Sequence, residues 1–374
     1  MTAVMDSRWA LVLFCCLAAG CTRNNSDEDT DSDTGSETET GTGTDGDSDA
    51  DADADADADS DGDGDSDTGS EIDTTWDGGP LTECPLADGG VEPEGMVCVP
   101  GGTYLMGCMP YDIYCEEDEL PLVEVTLSPF WVDVYETTYE ELLPFLNTLK
   151  EGYFRNENGV SLEEPWEPIW RNYAAIGLSE DDYYWSYEGC DPGIDAAAGG
   201  LSRLGAAMYC EWLGKQLPTE AQWEAAARGR TQLIYPCSWQ HLACWYGRYG
   251  CSEYDFNAEC YTSECCIPVF TGSTADCPSQ WGAVQMCGNA TEWVLDRKDH
   301  FEDGHGWCSE GCIDPEPQDG EYPIAKGGGT MSSLQETRIS SRNIRWYSSN
   351  PLDKDTGVRC VLPATDWARR GVGI

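Results

Sequence analysis

Leu217–Gly229 reads LPTEAQWEAAARG, and the rest of the chain can be read outward from it. Thr219 followed three residues later by Gln222 is a capping box. The Thr hydroxyl accepts from the third amide of the helix while the Gln side chain reaches back to the cap amide. Ala221, Glu224, Ala225, Ala226 and Ala227 favour or tolerate helix, and Gly229 is placed to end it. The stretch predicts a short, well-capped helix that carries one large aromatic, Trp223, into a core.

Immediately upstream, Ser202 caps a second predicted helix over Arg203–Gly214, in which Leu204, Met208 and the Trp212/Leu213 pair recur at core spacing. Farther back, Val97, Val99, Tyr104 and Met106 sit about Gly101-Gly102 in a hairpin-like pattern, and Val123, Val125 and Leu127 alternate as a strand. A helix from about Thr138 to Leu149 follows, bent at Pro144. Downstream stand WGAVQMCGNATEWVLD at Trp281–Asp296, AKGGG at Ala325–Gly329, RISSRN at Arg338–Asn343 and TGVRCV at Thr356–Val361.

In this order the segments resemble the formylglycine-generating-enzyme family, also called sulfatase-modifying-factor domains. The likeness is carried by PGGTYLMG, EVTLSPFWVDVYETT, AAMYCEWLGKQLPTEAQWE, GNATEW and the closing Gly- and Arg-containing blocks, over roughly residues 94–363. It implies one α+β domain, a loop-rich variant of the C-type-lectin-like fold with little regular secondary structure. Many Gly, Trp and Tyr residues suit such a fold, or a surface that holds extended ligands.

The ends of the chain have a different chemistry. Residues 1–21 carry Arg8, a short apolar run and Leu17-Ala18-Ala19-Gly20-Cys21, which resembles a bacterial lipobox with Cys21 as the lipidated amino terminus. An ordinary cleaved signal is the alternative. Thr22, not Asp, follows Cys21, which points to the outer membrane or cell surface of a bacterium. No later segment reaches the roughly 18 uncharged apolar residues of a membrane span, so membrane attachment is expected through the lipid anchor only. Residues 22–79 are rich in Asp, Ala, Gly, Ser and Thr and bury too little apolar surface to fold, so they read as a disordered acidic stalk. Its alternating Asp lacks the closing Glu and flanking helices of a calcium loop. Residues 80–374 form the domain.

Asp and Glu outnumber Lys and Arg 70 to 20, for a formal charge of −50, and the domain itself stays acidic. Binding to nucleic acid through phosphate is therefore excluded as a role. All but Cys15, Cys16 and Cys21 of the 20 cysteines lie beyond residue 80. With an export signal they are expected to pair, leaving an odd one over. Cys237, Cys244, Cys251, Cys260, Cys265, Cys266 and Cys277 read as a stapled loop insertion, and Cys308 with Cys312 as a small disulfide loop.

The resemblance also implies a chemistry. Family members oxidise a sulfatase cysteine with oxygen and copper(I), gripped by two thiolates just after a Gly-Gly-Ser-Trp turn, because copper(I) prefers sulfur. Here the turn is Gly327-Gly328-Gly329-Thr330, and the ligand positions are Ser332 and Thr337. Copper is therefore not expected. The family's structural calcium implies a set made of Gln285, the carbonyls of Gly288 and Ala290, and the carboxylate of Glu292, oxygen donors that suit calcium. A salt-bridge carboxylate is the alternative for Glu292. Two functional readings follow. One is a surface binding module for a peptide or glycan. The other is a sulfatase-modifying oxidoreductase with non-standard metal chemistry.

Overall fold

The computed structural model describes residues 76–87, 89–156, 159–163, 168–172, 176–179, 182–185, 193–236, 278–299, 304–330, 332–344 and 355–370. The expected signal, Cys21, the expected stalk up to residue 75 and the Cys-rich stretch 237–277 lie outside these residues. The folded part already includes Trp76, whose amide donates to Arg230 O at 3.2 Å, four residues ahead of the boundary drawn from composition.

In chain order the first elements are β1 (Met96–Val99), β2 (Gly102–Met106), β3 (Val123–Leu127) and β4 (Phe130–Asp133). The expected hairpin about Gly101-Gly102 does not form. β1 pairs antiparallel with β4, and β2 pairs antiparallel with β3, so the two strands belong to different sheets. Pro100 has no amide to continue a ladder. The chain also turns so tightly against Pro129 that a Cβ on Gly101 would stand 2.7 Å from its Cδ. The alternation of Val123, Val125 and Leu127 is as read, all three being buried on one face of β3.

Helix α1 (Tyr139–Leu146) opens on a capping box between Thr138 and Glu141 and stops three residues before the expected end, with Pro144 inside it. Three short strands, β5 (Tyr153–Asn156), β6 (Gly159–Leu162) and β7 (Pro168–Arg171), make a meander, and β8 (Ile176–Ser179) pairs with β9 (Asp182–Trp185). Helix α2 (Arg203–Trp212) is capped by Ser202, whose hydroxyl accepts from Gly205 N at 2.9 Å. Helix α3 (Glu220–Arg228) carries the capping box read from sequence. Thr219 N donates to Gln222 Oε1 at 3.0 Å, and Gln222 N donates to Thr219 Oγ1 at 3.2 Å. Gly229 ends it at φ +63°, a backbone conformation that costs glycine least.

The last group is β10 (Thr291–Lys298), β11 (Cys312–Ile313), β12 (Tyr322–Lys326), β13 (Asn343–Ile344), β14 (Thr356–Gly357), β15 (Val361–Pro363) and α4 (Ala364–Arg370). Strands order as β13-β12-β10-β14, β11-β3-β2 and β1-β4-β15. Strand β10 divides the core. Trp293 packs in a cluster with α1, α2 and the meander, while Val294 packs in a second cluster with β2, β3 and α3, as opposite faces of a strand require. Disulfides join Cys84–Cys98, Cys108–Cys115, Cys210–Cys360 and Cys308–Cys312. The third closes a 150-residue separation and fastens α2 to the segment before β15. The fold is α+β, loop-rich and disulfide-stapled, as expected. Among the described residues no helix is long and apolar enough to cross a membrane.

Candidate functional site

Glu220 and Glu224 lie one turn apart on α3, on the face that points inward, and both are buried. Lys326, at the end of β12, reaches Glu224 at 2.7 Å, Glu220 at 3.3 Å and Ser340 O at 3.2 Å. Arg342 donates to Glu220 Oε2 at 3.0 Å, and Arg228 pairs with Glu224 at 3.1 Å while holding Leu105 O and Gly107 O. Burial alone would raise the two carboxyls. Arg342 and Lys326 outweigh it at Glu220, and Lys326 and Arg228 at Glu224, so both are held below the ordinary range. The network continues through Arg338, which meets Glu119 at 2.5 Å and Asp112 at 2.9 Å. His305 Nε2 lies 3.6 Å from Glu220 Oε1. Donor atoms of Glu220, Glu224 and His305 gather within 4.8 Å, but Lys326 Nζ already bridges the two carboxylates.

The glycine turn sits against the same helix. Gly327 and Gly328 adopt φ +82° and +64°. A Cβ on Gly327 would lie 3.0 Å from Trp223 Cζ2, and one on Gly328 would lie 2.9 Å from Thr337 Cγ2 and 3.1 Å from Ser332 Cβ. Ser332 and Thr337 thus both pack against Gly328, and both are buried. Their hydroxyls are engaged locally. Ser332 Oγ accepts from Gly329 N at 3.0 Å, and Thr337 Oγ1 donates to Leu334 O at 2.8 Å. Cys287, the free thiol among the described residues, is buried beside Thr337. Burial pushes its thiol up to about 11, so at neutral pH it is not a thiolate. The donor set is two hydroxyls and one neutral thiol where the copper chemistry requires two thiolates. Cys308 and Cys312 are spent in their own disulfide.

At the GNATEW turn the structure gives Glu292 another partner. Its Oε1 accepts from Arg359 Nε at 3.0 Å and Nη2 at 2.8 Å, and its Oε2 accepts from Trp223 Nε1 at 2.6 Å. Arg359 also holds the carbonyls of Asp133, Val134 and Val284. Glu292 is thus an ion-pair carboxylate in this arrangement, with both oxygens engaged. Gln285 stands at φ +59° and is buried, as are Gly288 and Ala290. Four motifs separated in sequence meet here: Trp223 of α3, Glu292 of β10, Gly327 of the turn and Arg359.

Beside this pair, Glu136 accepts from Asn289 Nδ2 at 2.7 Å and from Ala290 N at 2.8 Å. Burial, then the charge of Glu292, pushes its carboxyl up to about 8 against an ordinary value of 4.5. The folded chain therefore keeps a proton that the unfolded chain releases. Stability from this group is full below 4.5 and is lost as pH rises from there towards about 8. Between pH 6 and 8 the melting temperature is expected to fall, and Glu136→Gln to flatten that fall, with Asn289 turning its amide oxygen to the new NH₂. An unchanged slope in the variant would remove Glu136 as its source.

Sequence reasoning missed Glu220, Glu224, Lys326, Arg342 and Arg359 as a group. The signal was two carboxylates four residues apart on the alanine face of a helix expected to be buried.

The sulfatase-modifying factor enzyme 1-like domain family matches residues 86–364, and the chain belongs to that family. A formylglycine-generating enzyme of Thermomonospora curvata is 28% identical over 300 residues, covering 72% of this chain and 93% of the relative. The inactive C-alpha-formylglycine-generating enzyme 2 of Mus musculus is 29% identical over 181 residues, 42% of this chain and 55% of the relative. Among solved structures, PvdO from Pseudomonas aeruginosa superposes with a TM-score of 0.49 at 21% identity, over 71% of this chain and 93% of that one.

Proposed function

We propose that this chain is an exported lipoprotein whose sulfatase-modifying-factor domain serves as a binding module for a peptide or glycan, without copper-dependent formylglycine generation. The observation that supports it is the pair of buried hydroxyl residues packed against Gly328, Ser332 and Thr337, at the positions to which the family resemblance assigns the two thiolates. Hydroxyls are hard, protonated ligands at neutral pH and do not replace thiolates on copper(I). The test is incubation of copper-loaded protein with a sulfatase-type cysteine peptide under oxygen. An unchanged peptide mass is expected, and conversion of thiol to aldehyde overturns the reading.

Cys287 favours a second reading, an oxidoreductase of the same family with altered metal chemistry, since it supplies one thiol beside Thr337. Its neutral state and the absence of a paired thiol among the described residues weigh against it. Anchorage is proposed through Cys21, on the Leu-Ala-Ala-Gly-Cys ending of the apolar run. Mass spectrometry of the membrane fraction is expected to find acyl mass on a peptide beginning at Cys21. A mature protein beginning at another residue defeats this.

A further inference from the structure

A cleft of about 430 Å³ opens between the end of β4, the start of α1 and the end of α2, a size in the range of small-ligand sites. It shares no lining residue with the glycine turn. We propose that it binds an organic ammonium ion.

The charges of the lining select the ligand. Its one cation, Lys215, is held by Asp133 Oδ1 at 2.5 Å, and the other oxygen of Asp133 accepts from Cys360 N at 3.1 Å. That pair is closed. Glu94 and Glu141 remain as exposed carboxylates on the lining. Glu141 commits Oε2 to the cap of α1, accepting from Thr138 N at 2.8 Å and Thr138 Oγ1 at 3.0 Å. No cation in the lining beyond the paired Lys215 opposes these two charges, so an anion is disfavoured and a cation is drawn in.

The aromatic side chains distinguish an organic cation from a metal ion. Trp212 is 45% exposed and Tyr135 44% exposed, and both line the cleft. Trp212 is braced by Phe145, with ring centroids 5.9 Å apart, and by Tyr209 at 6.3 Å. The indole is thus fixed before any ligand arrives, which removes part of the ordering cost of binding. An ammonium group beside indole and phenol rings gains cation–π attraction as well as the pull of the carboxylates. A hydrated metal ion would gain little from the rings, and a neutral sugar, although its hydroxyls can donate to the carboxylates, brings no positive charge to meet them.

The inference gives the binding module proposed above a ligand class and rests on that reading for its biological sense. None of its residues is Ser332, Thr337 or Cys287, so the peptide-oxidation assay and the binding assay fail independently.

Calorimetric titration of the purified chain with choline and with N-acetyl-lysine methylamide tests it. The neutral isostere of choline, 3,3-dimethylbutan-1-ol, serves as control. Saturable binding of at least one cation is expected, weakening as salt rises, with the neutral isostere bound at least tenfold more weakly. Tighter choline binding assigns the site to a free quaternary ammonium, and tighter binding of the lysine derivative assigns it to a peptide side chain. The Glu94→Gln, Glu141→Gln double variant is expected to lose affinity at least tenfold at an unchanged melting temperature, because Gln at position 141 still completes the capping box. Trp212→Ala is expected to weaken binding as well. Equal affinity for the neutral isostere, absence of saturable binding by either cation, or wild-type affinity in the double variant overturns the proposal.

Discussion

Arg359→Met is expected to destabilise the protein by roughly 3–5 kcal/mol, the range found when one partner of a buried ion pair is removed. Both Arg359 and Glu292 are buried, so the variant strands a carboxylate with Trp223 Nε1 as its remaining side-chain donor. It also removes the guanidinium from three carbonyls, those of Asp133, Val134 and Val284, of which Val134 O keeps the amide of Val284 at 2.8 Å. Urea unfolding would read the loss directly. A change below about 1 kcal/mol, the scale of an exposed pair, would mean that Glu292 is compensated by some other cation. The double variant Arg359→Met, Glu292→Gln is expected to recover part of the loss, because it removes the stranded charge.

The same pair bears on calcium. A second cation at Glu292 would have to displace a guanidinium that contacts the carboxylate at 2.8 Å. With Arg359 in place, chelator is expected to leave the melting temperature unchanged. If calcium instead raises it and Arg359→Met abolishes neither binding nor the rise, Glu292 exchanges partners and the ion-pair reading is incomplete.

What the sequence made legible was local. The capping box of Thr219 with Gln222 is written within four residues, and its hydrogen bonds close inside the same turn. The alternation of Val123, Val125 and Leu127 likewise needs no knowledge of the partner strand. The β1–β2 hairpin failed because pairing is a choice among strands. Two glycines between apolar runs suggest a turn, but they do not exclude one that sends each run to a different sheet. The carboxylates of α3 were illegible for a related reason. The cations that make their burial tolerable, Lys326 and Arg342, stand 106 and 122 residues downstream of Glu220. Without them Glu224 reads only as a helix former. A family resemblance singled out Ser332 and Thr337, while their packing against Gly328 and the nearness of Cys287 to Thr337 needed the fold.

The wild-type chain is expected not to oxidise a peptide cysteine, and the loss relative to an enzyme with both thiolates should exceed a hundredfold. Changes to groups that merely support metal ligands already cost 10- to 100-fold, roughly, and here the two positions that the proposed reading gives to the ligands hold hydroxyls that are occupied by Gly329 N and Leu334 O. Ser332→Cys with Thr337→Cys separates loss of ligands from loss of the cleft. A Cβ on Gly328 would touch both side chains within 3.1 Å, so the two new sulfurs would face one small space across the glycine. Copper(I) binding by the double variant, measured by competition with a chromogenic chelator, is expected where the wild type shows none. A double variant that still binds no copper would place the obstacle in the backbone of the turn. Turnover by the wild type would defeat the expectation outright, and loss of that turnover in Cys287→Ser would then identify the thiol beside Thr337 as the ligand that had replaced the missing pair.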